Sequence, residues 1–207
     1  MSEATSAVIG AGIVSFLPGI DAAQKNKVKL ALAMAERATD TAYKEGLIKD
    51  WFAYYRNQLK FMGWDAVTAE QIHWPDKTRT QQTDHVLQTL SKTAGDSFAS
   101  SVKVSIQTLL TKPSVLKELE KKAFEMQHFQ VLACAPAGNN RVDMVIYHET
   151  DKQSVFSAGF ISRKRSYKNV RAELVRFNIL AFENSVLPKV QESVVKVSLA
   201  RIHDYAI

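Results

Sequence analysis

Through residue 127 the apolar positions recur mostly at helical spacing. Val28, Leu32, Ala35, Thr39 and Ala42 form a stripe behind Asp21, a capping side chain, and predict a helix to about Lys44. Gly46 marks a break. Leu47, Trp51, Tyr55, Leu59 and Met62 continue the spacing as a second helix, an aromatic stripe of the kind that packs a core. The stretch "GWDAVTAEQIHWPDKTRT" reads as a loop, with Trp74 held extended before Pro75. Helix resumes near Gln81 with Val86, Leu87 and Leu90. Gly95 and Asp96 interrupt it, Asp96 standing as a cap. Phe98, Val102, Ile106 and Leu109 make a further stripe that Pro113 stops. Ser114 can cap a last helix bearing Leu116, Leu119, Ala123 and Met126.

The period then shortens. From His128 the chain has strand-like runs separated by turn residues, predicting strands near 128–135, 141–149, 154–162 and 171–182 with turns at "PAGNN", "TDKQ" and "RKRSYKN". Short connections make neighbours antiparallel, hence a four-stranded meander. From Ser185 the chain reads as helix, although Val195, Val197 and Leu199 also alternate. The expected fold is α+β: one domain, 1–207, with a mainly helical part over 1–127 packed on an antiparallel sheet over 128–184 and a C-terminal helix over 185–207.

The apolar run Ala7 to Ile20, "AVIGAGIVSFLPGI", carries a glycine pattern like that of a dinucleotide-binding turn. Such a turn needs a strand before it and a helix directly after it, whose N-terminus faces the pyrophosphate. Pro18 and Gly19 fall where that helix should run, and the next segment is helical rather than a second strand. No flavin or nicotinamide cofactor is expected. The segment reads instead as a short helix or bent apolar piece against the core. With Lys25, Lys27 and Lys29 behind it, contact with a bilayer surface is a second reading.

Composition narrows the classes. The 207 residues hold 46% hydrophobic and 23% charged residues, the balance of a globular protein able to bury a core. Lys and Arg total 27 against 21 Asp and Glu, a net charge of +6 that suits an anionic partner without choosing one. No run reaches the ~18–20 apolar residues of a membrane span, and "MSEATS" lacks the basic residues of a secretory signal. The expected location is the bacterial cytoplasm, or export without a cleaved signal.

One cysteine, Cys134, excludes an internal disulfide and a cysteine-rich zinc site. None of the five histidines (His73, His85, His128, His148 and His203) has the spacing of a metal-binding helix. His128 and His148 fall roughly opposite each other at the open end of the first hairpin, where a two-histidine site competes with plain polar rims. As a nucleophile Cys134 would need a nearby base. His128 shares its strand face but lies ~20 Å along it at ~3.3 Å per residue. With no GxSxG motif either, catalysis has no support in the sequence. The segment "RKRSYKNVR" gathers Arg163, Lys164, Arg165, Lys168 and Arg171, an anion-binding candidate for nucleic acid or acidic lipid, or else a solvated turn. No recognition helix or RNA-binding motif accompanies it, so nucleic acid is the lesser partner.

Cys134 sits in "VLACAPAG", among small and apolar residues at the start of the sheet and behind a helical part. In that placement the chain resembles the Erwinia virulence factor group of bacterial proteins. The resemblance implies a mixed α/β fold, a fatty acyl group on the cysteine and a role in persistence in an insect gut. Read with the residues, it points to a bacterial virulence or toxin-like protein that meets membrane or lipid, with Cys134 as the acyl site and no other cofactor. The alternative is a soluble, non-enzymatic binding module acting through the 163–171 basic turn. An ordinary buried thiol is the third reading of Cys134.

Overall fold

The structure, a computed structural model, describes residues 5–67, 80–151, 153–165, 167 and 169–207. The N-terminal segment forms two strands, β1 (Thr5–Ile9) and β2 (Gly12–Phe16), followed by α1 (Ala22–Lys44), α2 (Trp51–Phe61), β3 (Trp64–Ala66) and β4 (Thr80–Gln81). Three helices follow: α3 (Gln82–Ala94), α4 (Asp96–Leu109) and α5 (Pro113–Met126). Then come β5 (His128–Pro136), β6 (Arg141–Thr150), β7 (Lys164–Arg165), β8 (Val170–Asn178), α6 (Ile179–Ala181), α7 (Glu192–Leu199) and β9 (Ile202–Ala206). Among the described residues these make an α+β protein with seven α-helices around a mixed seven-stranded sheet of order β3-β8-β6-β5-β2-β1-β9.

Local signals set the helices. Asp21 and Gln24 form a reciprocal capping box at the start of α1, and the Asp50 carboxylate accepts from Ala53 N–H at the start of α2. Pro113 opens α5, where its missing N–H costs nothing, and Gly95, rather than Asp96, caps α4. The β5–β6 hairpin turns at "AGNN", where Gly138, Asn139 and Asn140 all take positive φ.

Tertiary pairing overrode the pattern elsewhere. The N-terminal apolar run is a β-hairpin, not a helix or bent segment. β2 lies parallel to β5, Gly12–Phe16 against Gln130–Cys134. All other pairings of the large sheet are antiparallel. β2 is buried at every position, so it lacks the alternation that marks a half-exposed strand. The same burial removes the bilayer reading: Ala7, Ile13, Val14 and Ile20 are closed inside the protein. The four-stranded meander is also revised. Residues 153–156 and 160–162 wind into 3-10 turns that bury Phe156 and Phe160, four apart, on one side. β8 ends at Asn178, and the C-terminal segment divides into α7 and the edge strand β9.

Each face of the sheet carries a core. On one side Val14, Leu132, Cys134, Met144 and Phe177 meet α1, α2 and the segment 179–190. On the other Ile13, Val131, Val145 and Tyr147 meet α3, α4, α5 and the 3-10 turns. Each large side chain so buried contributes about 1.5–3 kcal/mol.

The β1–β2 turn is the tightest junction. Gly10 has φ +54°, and a Cβ built there would lie 1.8 Å from Glu36 Oε1 of α1. Gly10→Ala therefore meets both left-handed strain, about 1–2 kcal/mol, and a carboxyl group. Denaturant unfolding should show a loss larger than the strain alone. Adding Glu36→Ala should recover part of it in a double-mutant cycle.

Candidate functional site

Cys134 lies mid-strand in β5, between Phe16 of β2 and Met144 of β6, with no exposed surface. Burial holds its thiol well above the ordinary cysteine range. The surface clefts are lined by other residues. His85 packs on Tyr147 and Tyr167, within the core on the opposite face of the sheet. His203 is on β9, two strands beyond β2, and His73 lies outside the described residues. Cys134 thus has the setting of a core residue rather than of an activated thiolate.

The basic segment is divided rather than clustered. Arg165 turns inward: its guanidinium is 2.6 Å from the buried Glu149, donates to Gln82 Oε1 at 2.7 Å, and stacks 4.6 Å from the Tyr167 ring. Gln82 and the Tyr147 hydroxyl donate to the other Glu149 oxygen at 2.8 and 3.1 Å, and His85 Nδ1 lies 3.0 Å from that hydroxyl. Burial pushes the Glu149 pKa up, and Arg165 opposes the shift. Arg163 donates to Ser157 and to the Ala158 carbonyl, and Arg171 grips Asp50 with both terminal nitrogens. Lys164 is exposed, and Lys168 lies outside the described residues. The sequence showed the charges but not their partners, which come from β6, α2 and α3.

Two further features stand out, one missed by the sequence pattern and one only partly seen in it through His128 and His148. Below the β1–β2 turn, Glu36 Oε1 accepts from Ala11 N–H at 3.0 Å, while Oε2 has no hydrogen-bond partner. One turn on, Asp40 accepts from Trp51 Nε1 at 3.0 Å and pairs with Lys122 and Arg201. Burial first, and Asp40 second, push the Glu36 pKa up to about 8.

The second is a cleft of about 740 Å³ where α2, β5, β6 and β8 converge. Trp51, Phe52, His128 and His148 line it together with charged Lys49, Asp50, Asp151 and Arg171. A shallower groove of about 450 Å³ runs between α1 and the C-terminal segment, lined by Leu30, Leu187, Val190, Val195 and Leu199 with Glu192 and Lys196.

No family model and no curated protein matches the chain. Among solved structures, one described as "Structure of the Evf virulence factor" is similar at 15% sequence identity and a TM-score of 0.39, over 100% of this chain and 87% of that one. This is a weak structural likeness, and the functional reading rests on the sites themselves.

Two measurements probe these placements. Arg165→Ala leaves Glu149 buried without its cation and should cost about 3–5 kcal/mol, whereas Lys164→Ala should leave the melting temperature unchanged. For Glu36, the folded state keeps a proton that the unfolded chain releases above pH 4.5, so stability falls as pH rises from 4.5 towards 8. Glu36→Gln should flatten that part of the stability profile, as read by urea unfolding at successive pH values.

Proposed function

We propose that the protein is a non-enzymatic, lipid-binding protein that meets an anionic membrane surface through the groove between α1 and α7. The observation that carries this reading is the groove's lining. Five aliphatic side chains converge there, with Lys196 and Glu192 completing the lining. Of the five, Leu199 of α7 is 50% exposed. An aliphatic groove open to solvent with a lysine in its lining suits an acyl chain with an acidic headgroup. The net charge of +6 draws the molecule to such a surface. The 163–171 segment supports the alternative binding module less well, because Arg165 and Arg171 are already paired.

Acylation of Cys134 is a separate, finer form of the proposal. A thiol closed to solvent and held protonated would have to receive its acyl group before the core closes around it. A chain there would occupy space that Phe16, Met144 and Leu132 now fill. A role as a virulence or toxin-like factor belongs to the same reading and depends on the lipid target.

Flotation with phosphatidylglycerol-containing vesicles tests the groove. The wild type should bind them and bind pure phosphatidylcholine less. Lys196→Glu with Leu199→Glu, both exposed groove-lining positions, should lower the bound fraction several-fold with an unchanged melting temperature. Failure of the wild type to bind either vesicle overturns the proposal. Intact mass before and after hydroxylamine decides the acyl group independently: an unmodified mass removes Cys134 acylation and leaves the groove reading standing.

A further inference from the structure

The floor of the large cleft holds an unusual set of buried donors and acceptors. His128 and His148 are each 1% exposed. They lie on one face of the β5–β6 hairpin as a diagonal pair, His148 directly opposite Gln130 and His128 opposite Thr150. Neither ring nitrogen of His128 has a hydrogen-bond partner, nor does Nε2 of His148. Each such buried polar atom costs about 1–3 kcal/mol. Three at one place call for something to satisfy them.

We infer that His128 and His148 hold a divalent transition-metal ion of the zinc class between their rings, with water from the cleft completing the coordination. Three features of the geometry favour an ion. The ring centres are 5.3 Å apart. Two imidazoles on one metal at about 2.0–2.1 Å per bond, with a near-tetrahedral angle between them, have their ring centres roughly 5 Å apart. Trp51 and Phe52 pack on the rings, with centroids 4.0 Å from His128 and 4.6 Å from His148, which fixes their planes. The Gln130 amide nitrogen lies 3.1 Å from His148 Nδ1, and turning the amide over puts its oxygen at the same place. When Nε2 binds the metal, the proton rests on Nδ1 and the Gln130 amide presents its oxygen to it, the outer support that metal-bound histidines ordinarily have.

The surroundings agree. Burial keeps both imidazoles neutral at pH 7, the form that ligates. Asp50 and Asp151 stand on the rim of the same cleft together with Lys49 and Arg171, Asp50 paired with Arg171 and Asp151 with Arg165, so the rim is close to neutral. Among the described residues no cluster of three or more His, Cys, Asp or Glu side chains is arranged around one point. The inferred site therefore has two protein ligands and open positions. It is independent of the lipid groove, which lies beside α7.

Titration of the chelator-treated protein with Co2+, followed by visible absorption, and with Zn2+, followed by melting temperature, tests the site. The wild type should bind one ion with a nitrogen-ligated d–d spectrum, and its melting temperature should rise with Zn2+ concentration. His128→Gln and His148→Gln should each weaken binding at least tenfold, about the lower limit found when even an outer-shell partner is removed. His203→Gln, on the edge strand, should not. Cu2+ should quench tryptophan fluorescence in the wild type and lose most of that quenching in Trp51→Phe, a readout that does not need the histidine variants to fold. Absence of a d–d band and of a Zn2+-dependent melting shift in the wild type overturns the inference, as does binding that His203→Gln abolishes.

Discussion

The parallel pairing of Gly12–Phe16 with Gln130–Cys134 is the contact on which the rest of the molecule depends. Without it β5 would be the edge of a small antiparallel sheet, its apolar side chains on both faces and its backbone groups unpaired, a state that invites aggregation. The N-terminal hairpin fills that edge, and β9 then closes on β1. The long connection from β2 to β5 carries all five of the larger early helices, so it can cover both faces of the sheet at once. The pairing also brings the Gly10 turn against α1, where only a residue without a side chain leaves room for the Glu36 carboxyl.

Polar groups buried on both faces give this frame its specificity. On the α1 side, Glu36, Asp40, Lys122 and Arg201 tie the hairpin turn, α5 and the C-terminal segment to one helix. On the α3 side, Glu149 collects Arg165, Gln82 and Tyr147 and so anchors the stretch after the 3-10 turns. Such networks contribute little net stability relative to apolar packing, yet breaking one partner strands a charge in a medium that cannot solvate it. They also spend basic residues that would otherwise be free to meet an anionic partner.

What remains on the surface divides into two sites of different character. The groove beside α7 is aliphatic with one lysine and one glutamate in its lining. The cleft at the start of α2 is aromatic, with neutral imidazoles beneath a mixed-charge rim. One suits hydrocarbon chains, the other a small polar or cationic species. Cys134 belongs to neither, since it faces the packed core between β5 and α1 and α2.

The sequence by itself determined the local elements. Asp21 as a cap, the helical stripes, the "PAGNN" turn and the first two strands after His128 are all legible, because each depends on neighbours within a few residues. The closeness of His128 and His148, diagonal across the hairpin, was also within reach, since a short turn sets the register. The N-terminal strands, the 3-10 turns and the C-terminal strand β9 were not. A strand buried on both faces has no alternation to read. Phe156 and Phe160 are as compatible with a turn as with a strand until a core fixes which side is buried. The partners of Arg165, Glu36 and Cys134 lie far along the chain. Burial and the field of those distant groups decide whether a charge is free, a carboxyl keeps its proton or a thiol can react, and that is why the sites became visible only in three dimensions.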